Sequence, residues 1–251
     1  SSVVGGYAGD SILFTSNVNA STLIGGQAGD GKSILDGDDS VYVGGSVSGV
    51  LAAGNYGQDT ISITGSAVAT SLYGGSGNDL VNLGSVVSAG VVYGNSGNDT
   101  VMVGTSLVGG ASILGGNANN SGGNDVDSIS IATISSGYVA VDQGADTIVV
   151  NNVAEKATIY GGSGNDSLTI GSSASAVQIQ GGTEADTVVI AGQVLGGSSI
   201  YGGTTATDSS RDGADLVSIG GGLTSAQVMG NAGADTVMIQ SSFRSSTVWG
   251  G

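Results

Sequence analysis

The stretch YGGSGND at residues 73–79 returns letter for letter at 160–166, 87 residues later. Near-copies of its last six letters stand at 54–59 (GNYGQD), 94–99 (GNSGND), 181–186 (GGTEAD) and 230–235 (GNAGAD). Taking each Asp that precedes an alternating apolar pair gives Asp10, Asp39, Asp59, Asp79, Asp99, Asp127, Asp146, Asp166, Asp186, Asp215 and Asp235. Successive gaps are 19 or 20 residues, except for three of 28 or 29 that end at Asp39, Asp127 and Asp215. Those three aspartates are 88 residues apart, so every fourth unit is longer than the rest. A fixed period near 20 residues marks a solenoid, in which each unit is one coil stacked on the next.

Composition agrees. The 251 residues include 49 glycines, no proline and only four basic residues, Lys32, Lys156, Arg211 and Arg244. Gly, Ser, Thr, Val and Ile dominate while helix formers are scarce, which suits strands joined by tight turns. Apolar residues are spread along the whole chain, unlike a disordered polar tract. A net charge of −16 excludes nucleic acid and anionic membrane surfaces as partners and makes cations the natural ones. No apolar run approaches the ~18 residues of a membrane span, so direct membrane insertion is not expected. With no Cys, disulfides contribute nothing to stability; with no His as well, serine triads, thiol nucleophiles and ordinary zinc sites are excluded, and no enzyme is expected.

Each coil reads as two short strands and two corners. The second and fourth residues after the Asp are apolar, as in Ile61 and Ile63, Val81 and Leu83, or Leu168 and Ile170, and alternation places them on one face. A second strand precedes the glycines, with Leu72, Val92, Ile113, Ile159, Ile179, Ile200, Val228 and Val248 pointing inward. Tyr73, Tyr93, Tyr160, Tyr201 and Trp249 follow at outward positions, where stacking along the solenoid is the first expectation and a glycan surface the second. The fold class is therefore all-β: a parallel, flattened two-strand β-solenoid of about 20 residues per coil, continuous over 1–251. Ser1 follows no initiator Met, and STVWGG at 246–251 stops before the next Asp is due. Both point to a piece of a longer array or a protomer stacked head to tail.

At the glycine corner, glycines allow positive φ and let carbonyls turn inward beside the Asp carboxylate. Carboxylate and carbonyl oxygens are hard ligands that suit Ca²⁺. Carboxylates stacked ~5 Å apart along one edge would repel by ~3 kcal/mol per neighbouring pair at an effective dielectric near 20, which calls for a neutralising cation. The metal-free alternative is an Asx turn in which the Asp only hydrogen-bonds the corner.

The hexads and the apolar residues after them resemble the RTX (glycine-rich nonapeptide repeat) calcium-binding β-roll family. The resemblance implies calcium held by Asp59, Asp79, Asp99, Asp166 and Asp235, with Gly57, Gly74, Gly77, Gly94, Gly97, Gly161, Gly164, Gly230 and Gly233 acting through their carbonyls. Asp10, Asp39, Asp127, Asp146, Asp186 and Asp215 are further candidates. The family repeats every nine residues and carries calcium along both edges, whereas here the opposite corner, GSVVSAG at 84–90, has no acid. Calcium is therefore expected along one edge. The corners at 5–10, 142–146 and 181–186 depart from the hexad pattern.

The insertions at 27–39, 117–127 and 204–215 all enter between the glycines and the Asp. They are expected to project from the calcium edge, for lateral self-association or for extra cations at Asp36, Asp38, Asp208 or Asp212. The resulting functional expectation is a calcium-stabilised structural solenoid of a secreted bacterial surface protein, in a surface layer, sheath or fibril. The alternative is a binding module, an adhesin for cell-surface glycan or an ice-binding solenoid. Ice binding calls for a regular outward Thr row, and here Leu80 and Leu216 interrupt it. The resemblance further implies a bacterial exporter and millimolar extracellular calcium.

Overall fold

The computed structural model describes residues 1–26, 36–116, 124–204 and 211–251. It divides into two compact units, Ser1–Ile129 and Ser130–Gly251, each a parallel β-solenoid. The insertion residues 27–35, 117–123 and 205–210, with Lys32 and Asp208, lie outside the described residues, and the expected projection of the insertions lies with them. No helix among the described residues is long and apolar enough to cross a membrane.

In the first unit the strand Ser71–Ser76 pairs in parallel with Leu51–Tyr56 before it and Val91–Ser96 after it, so that Leu72 stands opposite Ala52 and Val92. The strand after the Asp, Leu80–Leu83, pairs in the same way with Thr60–Ile63 and Thr100–Val108. The second unit repeats the arrangement, with Gln178–Thr183 between Ala157–Ser163 and Ser199–Gly203, and Ser167–Ile170 between Thr147–Val150 and Thr187–Ile190.

The structure adds a third strand of two residues to most coils, and in two it is continuous with the second strand, as Thr100–Val108 and Ser128–Ile134. Val87–Ser88 pairs with Ala67–Val68 and with the far end of Thr100–Val108, and Ala174–Ser175 lies between Ala154–Glu155 and Val194–Leu195. Its first residue points inward, so Val87, Leu107, Ala154, Ala174 and Val194 are fully buried.

The core is therefore a stack of small, equivalent layers. In the coil around Asp79 it consists of Leu72, Val81, Leu83 and Val87, each at most 1% exposed. Burying each such side chain contributes roughly 1.5–3 kcal/mol. A chain confined to short inward side chains can stack at strand spacing, which is why branched aliphatics replace aromatics inside and all five aromatics named above lie outside.

Between the third strand and the next first strand most coils reverse through a single left-handed residue, and two through a glycine pair, Gly109–Gly110 and Gly196–Gly197. Ala20, Ala69, Ala89 and Ala176 hold φ of 45–52°, and Gly49 occupies the equivalent place at 61°. Left-handed backbone costs an L residue roughly 1–2 kcal/mol, because Cβ crowds the following carbonyl oxygen. Ala89→Gly and Ala69→Gly are therefore expected to stabilise the protein by about 1 kcal/mol each in denaturant titrations, whereas Leu72→Ala should cost about 2–5 kcal/mol.

Candidate functional site

The first glycine of each hexad ends the inward face of the first strand, and the Asp opens the second strand; the two face each other across the corner. Asp39, Asp59, Asp79, Asp99, Asp166, Asp186 and Asp215 are only 2–3% exposed, and Asp127 and Asp146 are equally buried. The carboxylates turn into the core instead of lining an outer edge. Gly74 makes room for this: a methyl group built on it would sit 2.5 Å from Asp79 Oδ2 and 2.6 Å from the carbonyl oxygen of Gly94 in the next coil. Gly94, Gly161 and Gly230 face the Oδ2 of their own Asp and the following coil's carbonyl in the same way. The third glycine has a different task. Gly57, Gly77, Gly97, Gly164 and Gly233 hold φ of 114–130°, and a Cβ there would land on the carbonyl of the preceding coil's counterpart. The position between these two explains the alternation of GG and GN: Gly75, Gly162 and Gly182 have positive φ there, as do Asn55, Asn95 and Asn231, asparagine being the residue best able to replace glycine.

The two oxygens of each Asp behave differently. Oδ1 accepts the backbone N–H of the Asp one coil earlier. In the first unit the row runs Asp10 to Asp39 at 2.6 Å, Asp39 to Asp59 and Asp59 to Asp79 at 2.7 Å, and Asp79 to Asp99 and Asp99 to Asp127 at 2.8 Å. In the second it runs Asp146 to Asp166, Asp166 to Asp186 and Asp186 to Asp215 at 2.8 Å, and Asp215 to Asp235 at 3.0 Å. Oδ2 of Asp39, Asp59, Asp79, Asp99, Asp166, Asp186, Asp215 and Asp235 is buried and receives no hydrogen bond. Asp10 is the exception, because the Gly6 N–H donates to its Oδ2.

Burial of an ionised oxygen without a donor pushes these carboxyls far above their usual range. Desolvation, reinforced by neighbouring aspartates in most rungs, raises Asp39 to about 6, Asp59, Asp79 and Asp215 to about 7, and Asp99, Asp166 and Asp186 to about 8. The backbone hydrogen bond to Oδ1 opposes the shift and does not cancel it.

A row of undonated carboxylate oxygens converging with glycine carbonyls is a donor set that fits Ca²⁺. Among the described residues no three acidic side chains gather at one point. An ion here would therefore draw on backbone carbonyls together with the carboxylate row. The sequence-predicted aspartates are thus brought together in one row within each unit, and Gly74, Gly94, Gly161 and Gly230 stand beside their Oδ2 atoms.

The corners that depart from the hexad keep the same row. Glu184 replaces the third glycine at φ 77° and is exposed, yet Asp186 remains buried. Gly144, in the short corner, supplies φ 148° ahead of buried Asp146.

A second, outer row was not anticipated. Asn78 Oδ1 accepts the N–H of Asn98 at 2.9 Å, Asn98 Oδ1 accepts that of Val126 at 2.6 Å, Asn165 Oδ1 accepts that of Ala185 at 3.0 Å, and Asp38 Oδ1 accepts that of Gln58 at 2.7 Å. Its signal in the sequence is the Asn that precedes the ladder Asp in GND at 77–79, 97–99 and 164–166. Of the outward aromatics, Tyr73 and Tyr93 stack in parallel at 5.4 Å, and Tyr160 meets Tyr138 edge-on at 5.8 Å. Trp249 stands beside Met229 and is exposed. Among the described residues no group in either row is arranged as a nucleophile with a base.

No family model matches the chain, and no curated protein matches it in sequence. Among solved structures it is similar to the X-ray crystal structure of a hyperactive, Ca²⁺-dependent, β-helical antifreeze protein from an Antarctic bacterium. The match has a TM-score of 0.68 and 22% identity, and covers 98% of this chain and 73% of that one. The common ground is the fold, a parallel β-solenoid.

Because the folded metal-free chain holds protons on these carboxyls that the unfolded chain releases near pH ~4, its stability is greatest in acid, falls as pH rises from there, and levels off once pH passes the folded values of about 6 to 8. Thermal melts in chelator should show that decline. Asp79→Asn retains an acceptor for the Asp59 N–H and removes the buried charge, so at pH 8 in chelator it should melt no lower than the wild type. Asp79→Ala leaves that N–H unpaired and should cost about 1–3 kcal/mol.

Proposed function

We propose that this chain is a calcium-stabilised extracellular β-solenoid that serves as a binding module, with an extended, regularly repeating surface, ice first among them, as its ligand. The observation that carries the reading is the row of buried Oδ2 atoms without donors. Ionising these carboxyls at neutral pH calls for a counter-charge, which calcium would supply at Asp39, Asp59, Asp79, Asp99, Asp166, Asp186, Asp215 and Asp235, with Gly carbonyls beside them. Bound calcium would supply the missing positive charge and couple folding to its own concentration. Such a protein suits an extracellular setting, where calcium is abundant.

The binding role is supported by the likeness to a Ca²⁺-dependent antifreeze protein and by the shape of the strand face. Flat parallel ladders put outward residues one coil apart, ~4.8 Å, in strict register. The first outward position of the second strand holds Ser11, Ser40, Thr60 and Thr100 in the first unit and Thr147, Ser167, Thr187 and Thr236 in the second. Leu80 and Leu216 interrupt these hydroxyl rows once in each unit. A rigid row of half-buried hydroxyls can order water or meet a crystalline surface without losing side-chain freedom on contact. The expectation of a structural surface layer rests on the repeat and on the insertions, which lie largely outside the described residues.

Calcium titrated into chelated protein should produce a gain of β signal by circular dichroism that magnesium does not match. Thermal hysteresis should appear in the calcium-loaded protein, vanish in chelator, and fall when Thr60 and Thr100 are replaced by Lys. Hysteresis absent at saturating calcium would reject ice as the ligand, and β structure unchanged by chelator would reject calcium as the stabiliser.

A further inference from the structure

Two of the longer coils carry an extra carboxylate at the same place. Their insertions return to the corner as DGDD at 36–39 and DGAD at 212–215, so Asp36 and Asp212 each precede a ladder Asp by three residues, where ordinary coils have Ser76 or Ser163. In both, the Oδ2 of the extra Asp joins the ladder of the first strand. It accepts the N–H of the next coil, Tyr56 at 3.4 Å and Ala232 at 3.0 Å.

A carbonyl has one oxygen and a carboxylate has two. The second, Oδ1, is buried in Asp36 and in Asp212 and makes no well-formed hydrogen bond, although the backbone N–H groups of Thr204 and Gly213 also approach the Asp212 carboxylate. It is brought against the glycine pair of its own coil: Cβ atoms built on Gly26 and Gly203 would land on the carboxylates of Asp36 and Asp212. The neighbouring glycine of each pair faces the ladder Asp, with Asp39 Oδ2 2.9 Å from a Cβ on Gly25 and Asp215 Oδ2 3.0 Å from one on Gly202. Asp39 and Asp215 are 97–98% buried and their Oδ2 atoms are also without donors. The local scaffold is the same in both units, since Asn55 Nδ2 donates to the Gly26 carbonyl and Asn231 Nδ2 to the Gly203 carbonyl, each at 2.9 Å.

We infer that Asp36 with Asp39, and Asp212 with Asp215, each form a two-carboxylate divalent-cation site at the root of an insertion, distinct from the one-carboxylate rungs elsewhere in the row. The inference rests on the calcium reading of the row and adds two sites to it. A hard divalent ion is the ligand class, since every donor is oxygen and two are anionic. The ion would tie the point where each insertion rejoins the coil to the glycine pair from which it departs.

The third insertion supplies a control. Asp125 precedes its ladder Asp by two residues, and its Oδ2 accepts the N–H of Gly97 in the preceding coil at 3.0 Å. It caps a strand from the other side and does not repeat the arrangement.

The test is calcium stoichiometry on the full chain, by equilibrium dialysis with elemental analysis and by native mass spectrometry. Asn keeps an oxygen for the Tyr56 or Ala232 N–H, so Asp36→Asn and Asp212→Asn are the variants, with Asp125→Asn beside them. Each of the first two should bind one calcium fewer than the wild type, the double variant two fewer, and Asp125→Asn the wild-type number. In chelator the double variant should melt no lower than the wild type, which establishes that its fold is kept. Undiminished stoichiometry in the double variant would overturn the inference, leaving both residues as ladder caps. A wild type that binds no calcium would overturn the calcium reading of the whole row with it.

Discussion

The hydrogen bond from one aspartate's backbone N–H to the next coil's carboxylate is the constraint around which each coil is arranged. It fixes the point to which every coil returns, whether the coil has 20 residues or carries an insertion. It draws the carboxylate inward, so the first glycine can carry no side chain. It also consumes only one carboxylate oxygen, so the fold acquires a buried, undonated atom in nearly every turn. Fold and chemistry are thus the same feature: the oxygen that holds the stack together brings with it the oxygen that requires a counter-charge.

That division resolves two readings that compete on sequence grounds. A metal-free Asx device and a calcium ligand are not exclusive alternatives at Asp79 or Asp166. Oδ1 performs a metal-free structural role, although it accepts an N–H from the neighbouring coil and not from its own corner, and Oδ2 has the geometry for the second. The electrostatic argument from a line of stacked carboxylates survives with a stronger cause, because burial in the core, more than mutual repulsion, sets the penalty of the charge.

Much of this was legible in the residues. The spacing of Asp59, Asp79 and Asp99 announced the coil, and the alternation at Val81 and Leu83 announced the inner face. Val87–Ser88 escaped notice because a two-residue strand has one inward side chain and therefore no period to detect. The inward turn of the aspartates was hidden for a different reason: a charged residue after a glycine run ordinarily reads as solvent-facing, and only Gly74 opposite it reveals the space. The Asn78, Asn98 and Asn165 row was written plainly as GND and was passed over because Asn in a turn needs no special cause.

The inner and outer rows run in opposite senses. Asp79 donates its N–H forward to the coil that follows, while Asn98 donates backward to the coil that precedes. A coil is thus clasped from both sides at one corner, and by its immediate neighbours alone. Length then becomes a free variable for this architecture. A 20-residue unit can be copied or lost in evolution wherever an Asp meets an Asp, and an insertion of eight or nine residues can enter where Asp36, Asp125 or Asp212 lends its side chain to the ladder. The solenoid is less a single design than a rule for adding one more turn.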